Sequence, residues 1–211
     1  VTSTERPLGL RERKRQETHR NLARTTLRHV FAHGLDSVTV EDIAAEVGVS
    51  SRTFFNYFSS KEDALLRPYP GHEERGEQVI ARLLATPCED RPLLVLARVL
   101  AGEFQTIDAD REEWLDRMTV FERHPQLLHR MALLQAENDR RTITAIAQWL
   151  GTPEASMYPV LLFATLGAAC RAAMSHWFET RGARPAHELL FEAVAALDVG
   201  LPLPADAAPR G

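Results

Sequence analysis

Four polar side chains share one side of a short segment, and their chemistry suits a nucleic acid. At about 100° per residue, Arg52, Thr53, Asn56 and Tyr57 fall together between Ser51 and Phe58, opposite Phe54 and Phe58. Phe55 stands at the border between the two sides. An arginine can be bidentate to guanine and an asparagine to adenine. Threonine and tyrosine hydroxyls commonly go to phosphate oxygens, which sets register. In isolation the same face reads more readily as an ordinary solvated one, so the choice rests on what precedes it.

What precedes it is a capped helix and a tight turn. Thr39 comes three residues before Asp42, a near relative of the capping box with Asp in place of Glu or Gln. Val40, Ile43, Ala44 and Val47 then recur at i, i+3, i+4 and i+7, one face of an amphipathic helix. Gly48 stops that helix, and Ser50 is suited to cap the next. Two short helices joined by a turn containing Gly form a helix-turn-helix. That context tips the polar face toward DNA.

The stretch resembles the DNA-binding region of tetracycline-repressor-type (TetR) regulators. TVEDIAAEVGVS is similar to the first half of that motif and GVSSRTFFNYFSSKEDALL to the second. The resemblance spans roughly Leu22 to Leu66. It is carried in order by Gly34, Thr39, Ile43-Ala44, Gly48-Val49-Ser50, Thr53-Phe54-Phe55, Tyr57-Phe58 and Lys61-Glu62. It implies an all-α regulator, with Arg52 and Asn56 on bases and Ser51, Thr53, Tyr57 and Lys61 on phosphates. Thr39 would touch the DNA backbone at the start of the first motif helix. The family often has Tyr where this chain has Phe55. Without the hydroxyl a phosphate bond is lost, and Phe55 either packs or touches a thymine methyl. The resemblance also implies a homodimer through the last two long helices, on a double-stranded, (pseudo)palindromic operator. Two motifs related by a two-fold reach successive major grooves about 34–36 Å apart or a multiple of that.

Charge distribution agrees with this better than total charge does. The 211-residue chain carries a net charge of −4. Residues 1–28 hold eight basic and three acidic side chains, residues 1–66 come to +1, and residues 67–211 come to −5. Basic charge gathers at one end, as an electrostatic footprint requires. Residues 1–10 read as a flexible arm or a solvated tail, and Arg11 to Arg15 could track phosphates or enter a minor groove. The low total for residues 1–66 keeps a second reading open: a ligand- or protein-binding helical module that does not read DNA.

Helical periodicity continues downstream. A long first helix is expected to His33, and Ser60 should cap a helix reaching Leu66. Arg67–Gly76, with two Pro and two Gly, reads as a hinge. The division expected is a DNA-binding domain over 1–66 and a regulatory, ligand-binding and dimerisation domain over 67–211. Helices are expected near Glu77–Leu84, Pro92–Ile107, Arg111–Arg123, Pro125–Leu150, Ala155–Thr180 and Pro185–Leu197, with Pro159 marking a delayed start. Tyr158–Phe178 is apolar on most of its circumference, so it should be buried on several sides. Met118, Phe121, Met131, Leu134, Phe163, Met174 and Trp177, together with Trp149, could line a cavity for a small apolar effector, or be plain core. Such an effector would favour one of two states and so change the spacing of the reading helices.

Other classes find little support. The eight His lack metal-ligand spacing, and no nucleophile elbow, phosphate loop or dinucleotide fingerprint is present. No enzyme, cofactor or metal is expected. Cys88 and Cys170 do not make a disulfide framework. No uninterrupted apolar run reaches 18 residues and no signal segment is visible, so a cytoplasmic protein without a membrane span is expected.

Overall fold

A computed structural model describes residues 9–88, 91–153 and 155–201. Among the described residues the fold is all-α. The helices run α1 Leu10–His33, α2 Val40–Val47, α3 Ser51–Phe55, α4 Lys61–Leu66, α5 His72–Ala85, α6 Pro92–Ala109, α7 Arg111–Arg123, α8 Gln126–Leu150, α9 Met157–Glu179 and α10 Ala186–Asp198.

The chain forms two compact units. The first holds the described residues up to 73 together with Asp116–Leu133, and the second holds Glu74–Leu115 and the described residues from Leu134 onward. Residues 116–133, which sequence reading assigns to the regulatory half, therefore group with the first unit. That unit's core joins Leu22, Leu27 and Val30 of α1 to Ile43, Phe54, Phe58 and Leu65, with Val120, Phe121 and Leu127 packed among them. Thr26 is fully buried there, and its hydroxyl donates to the Leu22 carbonyl at 2.8 Å, so no polar group is stranded.

In the second unit α6, α9 and α10 form the centre. Leu96 and Phe104 meet Leu166, Ala173 and Trp177 of α9 and Leu190 and Val194 of α10. Asp108 fixes the start of α10: one carboxylate oxygen accepts from the Ala186 amide at 2.6 Å, the other from His187 Nδ1 at 2.7 Å. Trp149 is buried in the same cluster and donates from Nε1 to the Thr86 carbonyl at 2.7 Å.

Three expectations change. The hinge is shorter, because α5 starts at His72 and carries Gly76 inside it. A Cβ at Gly76 would stand 3.1 Å from Asn138 Oδ1, so this glycine serves close packing rather than a bend. Pro159 does not delay α9, which starts at Met157. Pro159 lies in the first turn, where its missing amide would have no helical partner. And α9 is long and apolar enough, by length and average composition, to pass for a membrane span. In the fold Leu162, Leu166, Ala169, Ala173 and Trp177 of α9 are buried in the core of the second unit.

Trp177 was a cavity-lining candidate and is 1% exposed. If it is plain core, Trp177→Ala costs about 3–5 kcal/mol of stability. Chemical denaturation measures this, and a loss well under 1 kcal/mol would show that its surroundings are already open.

Candidate nucleic-acid interface

The motif begins with a complete capping box. Thr39 Oγ1 accepts from the Asp42 amide at 3.2 Å, and the Thr39 amide donates to Asp42 Oδ2 at 3.3 Å. The Thr39 hydroxyl also donates to that carboxylate at 2.5 Å. These bonds, the hydroxyl's first, hold the Asp42 carboxyl below its ordinary range. Gly48 ends α2 with φ 76° and ψ 32°, in the left-handed region. The following amide, Val49 N–H, reaches back to the Ala44 carbonyl at 2.9 Å. Ser50 then caps α3, accepting from the Thr53 amide at 3.1 Å.

Helix α3 is shorter than its periodicity suggests. The Asn56 amide bonds to both the Arg52 and Thr53 carbonyls, and Tyr57 N–H bonds to Phe54 at 2.9 Å, a tightened last turn. The path continues only to Phe58, because the next amide, Ser59 N–H, donates to Asp63 Oδ2 at 2.9 Å. Phe54 and Phe58 are 0% and 1% exposed, whereas Phe55 is 55% exposed. Arg52 and Asn56 are exposed, and Ser51, Thr53 and Tyr57 partly so. Among the described residues the side chains of Arg52 and Asn56 have no protein partner. The structure thus brings Ser51, Arg52, Thr53, Phe55, Asn56 and Tyr57 onto one short element, with Thr39 at the start of the preceding helix.

Lys61 sits differently from a free phosphate anchor. Its Nζ donates to the Leu35 carbonyl at 2.5 Å and the Val38 carbonyl at 2.9 Å, strapping the α1–α2 connection to α4. An ammonium has three N–H groups, so one remains. Two further residues escaped sequence reading. Asp63 is buried, takes Ser59 N–H and Oγ on one oxygen and Arg67 Nε at 3.0 Å on the other, and so ties the end of α3 to α4. Its signal was present in the Ser60-x-x-Asp63 spacing, since Ser60 Oγ accepts from the Asp63 amide at 3.2 Å. His19 of α1 lies 4.5 Å from the Phe58 ring centroid and 6.2 Å from that of Tyr57. Periodicity offers no signal for it.

Residues 116–133 brace the same unit. Arg117, 1% exposed, donates to the Leu65 carbonyl at the end of α4. Arg123 lies 5.2 Å from the Phe31 ring centroid and donates to the Phe31 carbonyl at 3.3 Å. Arg130 donates to Ser60 Oγ at 3.3 Å, at the start of α4.

The cavity candidates divide between the two units. Phe121 is buried and Met118 partly buried in the first unit's core, and Met131 belongs to that unit. Phe163, Met174 and Trp177 join the second unit's core, where Trp149 also lies, and Leu134 is exposed on α8. Of the basic arm, Arg11, Arg13, Lys14 and Arg15 are exposed on the first turns of α1, and residues 1–8 lie outside the described residues.

Comparison with known proteins follows the same lines. Residues 23–67 match the family model for bacterial regulatory proteins of the tetR family, and residues 91–202 match that for the MftR C-terminal domain. The HTH-type transcriptional regulator TcmR of Streptomyces glaucescens is 32% identical over 185 residues, covering 83% of this chain and 80% of that protein. Among solved structures, the fatty acid degradation regulator FadR of Bacillus halodurans superposes with a TM-score of 0.59 at 14% identity, covering 94% and 98% of the two chains. The TetR-family repressor FadR of Thermus thermophilus, solved with lauroyl-CoA, gives 0.54 at 20% identity, covering 92% and 100%. At such identities the solved structures show a shared fold.

The His19 contact predicts a pH effect. Burial, opposed by Asp63 and reinforced by Arg15, Arg20 and Arg67, lowers its pKa from 6.5 to about 4. Between those values the unfolded chain binds a proton that the folded chain does not, so stability falls as pH drops from about 6.5 to 4. Thermal melts of wild type and His19→Phe across that window should show this part of the slope disappearing in the variant. Identical slopes would mean the ring titrates normally.

Proposed function

The chain belongs to the tetR family of bacterial regulatory proteins, DNA-binding transcriptional regulators, and from that premise we propose a homodimeric repressor released from its operator by a small, largely apolar effector. Residues 1–66 read DNA, and 67–211 dimerise and hold the effector, with 116–133 bracing the reading unit. It acts in the cytoplasm, on a (pseudo)palindromic duplex.

The observation that carries the reading is the composition of the exposed side of α3. Two side chains able to form paired hydrogen bonds with bases, Arg52 and Asn56, stand unpartnered above two buried phenylalanines. Ser51, Thr53 and Tyr57 flank them as phosphate contacts, and Thr39 meets the backbone at the start of α2. Lys61 contributes one remaining N–H to a phosphate while its other two hold the α1–α2 connection.

Dimerisation is assigned to α9 and α10. On α9 the outward side chains Met157, Val160 and Leu161 are 79%, 46% and 54% exposed, and Ala164, Ala168 and Ala172 continue the exposed side with small residues. An apolar stripe of this kind suits close helix approach by a second copy. For the effector, the Thermus thermophilus relative's lauroyl-CoA supplies the class, a ligand with a long apolar part. The route runs through α4, whose two ends receive Arg130 and Arg117. Helices α7 and α8 each contribute residues to both compact units, so a ligand-driven change in their second-unit part is covalently continuous with those arginines.

Selection of genomic fragments by the purified protein identifies the operator, and a salt series tests the electrostatics, since operator affinity should fall steeply as salt rises. Arg52→Ala should cost about 1–3 kcal/mol and relax preference at one base position. Equal loss on every sequence would make Arg52 a phosphate anchor only. Leu161→Arg should halve the sedimentation mass and abolish tight operator binding, and an intact dimer would move the interface elsewhere.

A further inference from the structure

We propose that Phe55 is a specificity-determining residue whose ring meets the 5-methyl group of a thymine, next to the base pair that Arg52 reads. The inference rests on α3 being the helix that enters the major groove.

Three aromatic residues of one short segment behave differently. Phe54 and Phe58 are buried, and Phe55, between them in sequence, is 55% exposed. Its ring meets that of Phe54 edge to face, with centroids 5.7 Å apart and planes at 84°. That contact anchors the inner edge and leaves the rest of the ring outward. Phe55 comes three residues after Arg52, so it lies about 60° round the helix from it, on the side away from Asn56. The exposed arc therefore reads, in order, an aromatic ring, a guanidinium and an amide.

A phenyl ring cannot satisfy a phosphate oxygen or the polar edge of a base. Among the groups that B-DNA presents in the major groove, the thymine methyl is the apolar one. Phe55 sits beside the residue suited to guanine, so its apolar partner lies in the step adjoining that guanine. The competing partner is the apolar edge of a deoxyribose, which carries no sequence information.

The test removes the methyl and nothing else. Within an operator obtained by fragment selection, each thymine is replaced in turn by 2′-deoxyuridine, which pairs with adenine as thymine does. One position per half-site should weaken wild-type binding about fourfold per methyl, the transfer cost of one buried carbon. Phe55→Ala should lose a similar factor on the thymine operator and be indifferent to uracil at that position, with a melting curve showing the variant folded at the temperature of the binding assay. Phe55→Leu, which keeps an apolar contact, should retain most of the thymine preference. The proposal is overturned if no uracil substitution weakens wild type, or if the uracil penalty persists unchanged in Phe55→Ala. In both cases sequence-preferring binding itself survives. Failure of the wild type to select any DNA sequence would instead remove the reading of α3, and this proposal with it.

Discussion

A helix of five residues cannot hold itself together in water, because nucleation takes most of what its few hydrogen bonds return. Helix α3 keeps its shape because Phe54 and Phe58 are buried beneath it against α1, α2 and α4. Everything nearby serves that burial. The Thr39–Asp42 box and Gly48 set where α2 starts and stops, and Ser50 starts α3 at the angle that turns Phe54 inward. At the far end Asp63 takes the Ser59 amide that would otherwise extend the helix, and so delivers Phe58 to the core. The outward side chains of the same segment are positioned by the rings on the opposite side.

The cations of this unit divide by the same logic. Lys61 faces two carbonyls, Arg67 faces Asp63 and Arg117 faces the end of α4, whereas Arg28 pairs with Glu46 while staying exposed. Arg11, Lys14, Arg15, Arg20 and Arg52 are exposed. The net charge of +1 for residues 1–66 sums these side chains without regard to their position. Position, rather than sum, determines whether a guanidinium steers DNA or closes a fold.

Much of this was legible from local pattern. The spacing of Val40, Ile43, Ala44 and Val47, the stop at Gly48 and the caps at Thr39 and Ser50 are short-range chemistry, and α2 and the start of α3 follow them closely. The family resemblance over Leu22 to Leu66 rests on the same residues. What escaped depends on partners distant in sequence. Lys61 reads as a surface lysine until Leu35 and Val38, 26 and 23 residues away, present their carbonyls. Gly76 reads as a hinge until Asn138 packs against it. Residues 116–133 are periodic like their neighbours, and no period reveals that they close the core around Phe54 and Leu65. The cavity candidates divide between the two units for a related reason: an apolar residue at helical spacing is known to face inward, but not into which of two cores.

The three phenylalanines at 54, 55 and 58 bring these points together. Their chemistry is identical and their burial is not, and the difference follows from angle alone. Phe54 and Phe58, four residues apart, stack on one side of the helix, whereas Phe55 is carried about 100° onward from Phe54 and out of the core. A sequence pattern scored only for hydrophobicity would place all three inside. The burial of two makes the third conspicuous, because a fold that covers its neighbours completely has left this ring in water beside Arg52. Its exposure beside Arg52 leaves its face free for whatever that surface meets. The same constraint that gives the helix its shape, two rings inward at i and i+4, thus turns the intervening ring out of the core and sets it beside the polar side chains.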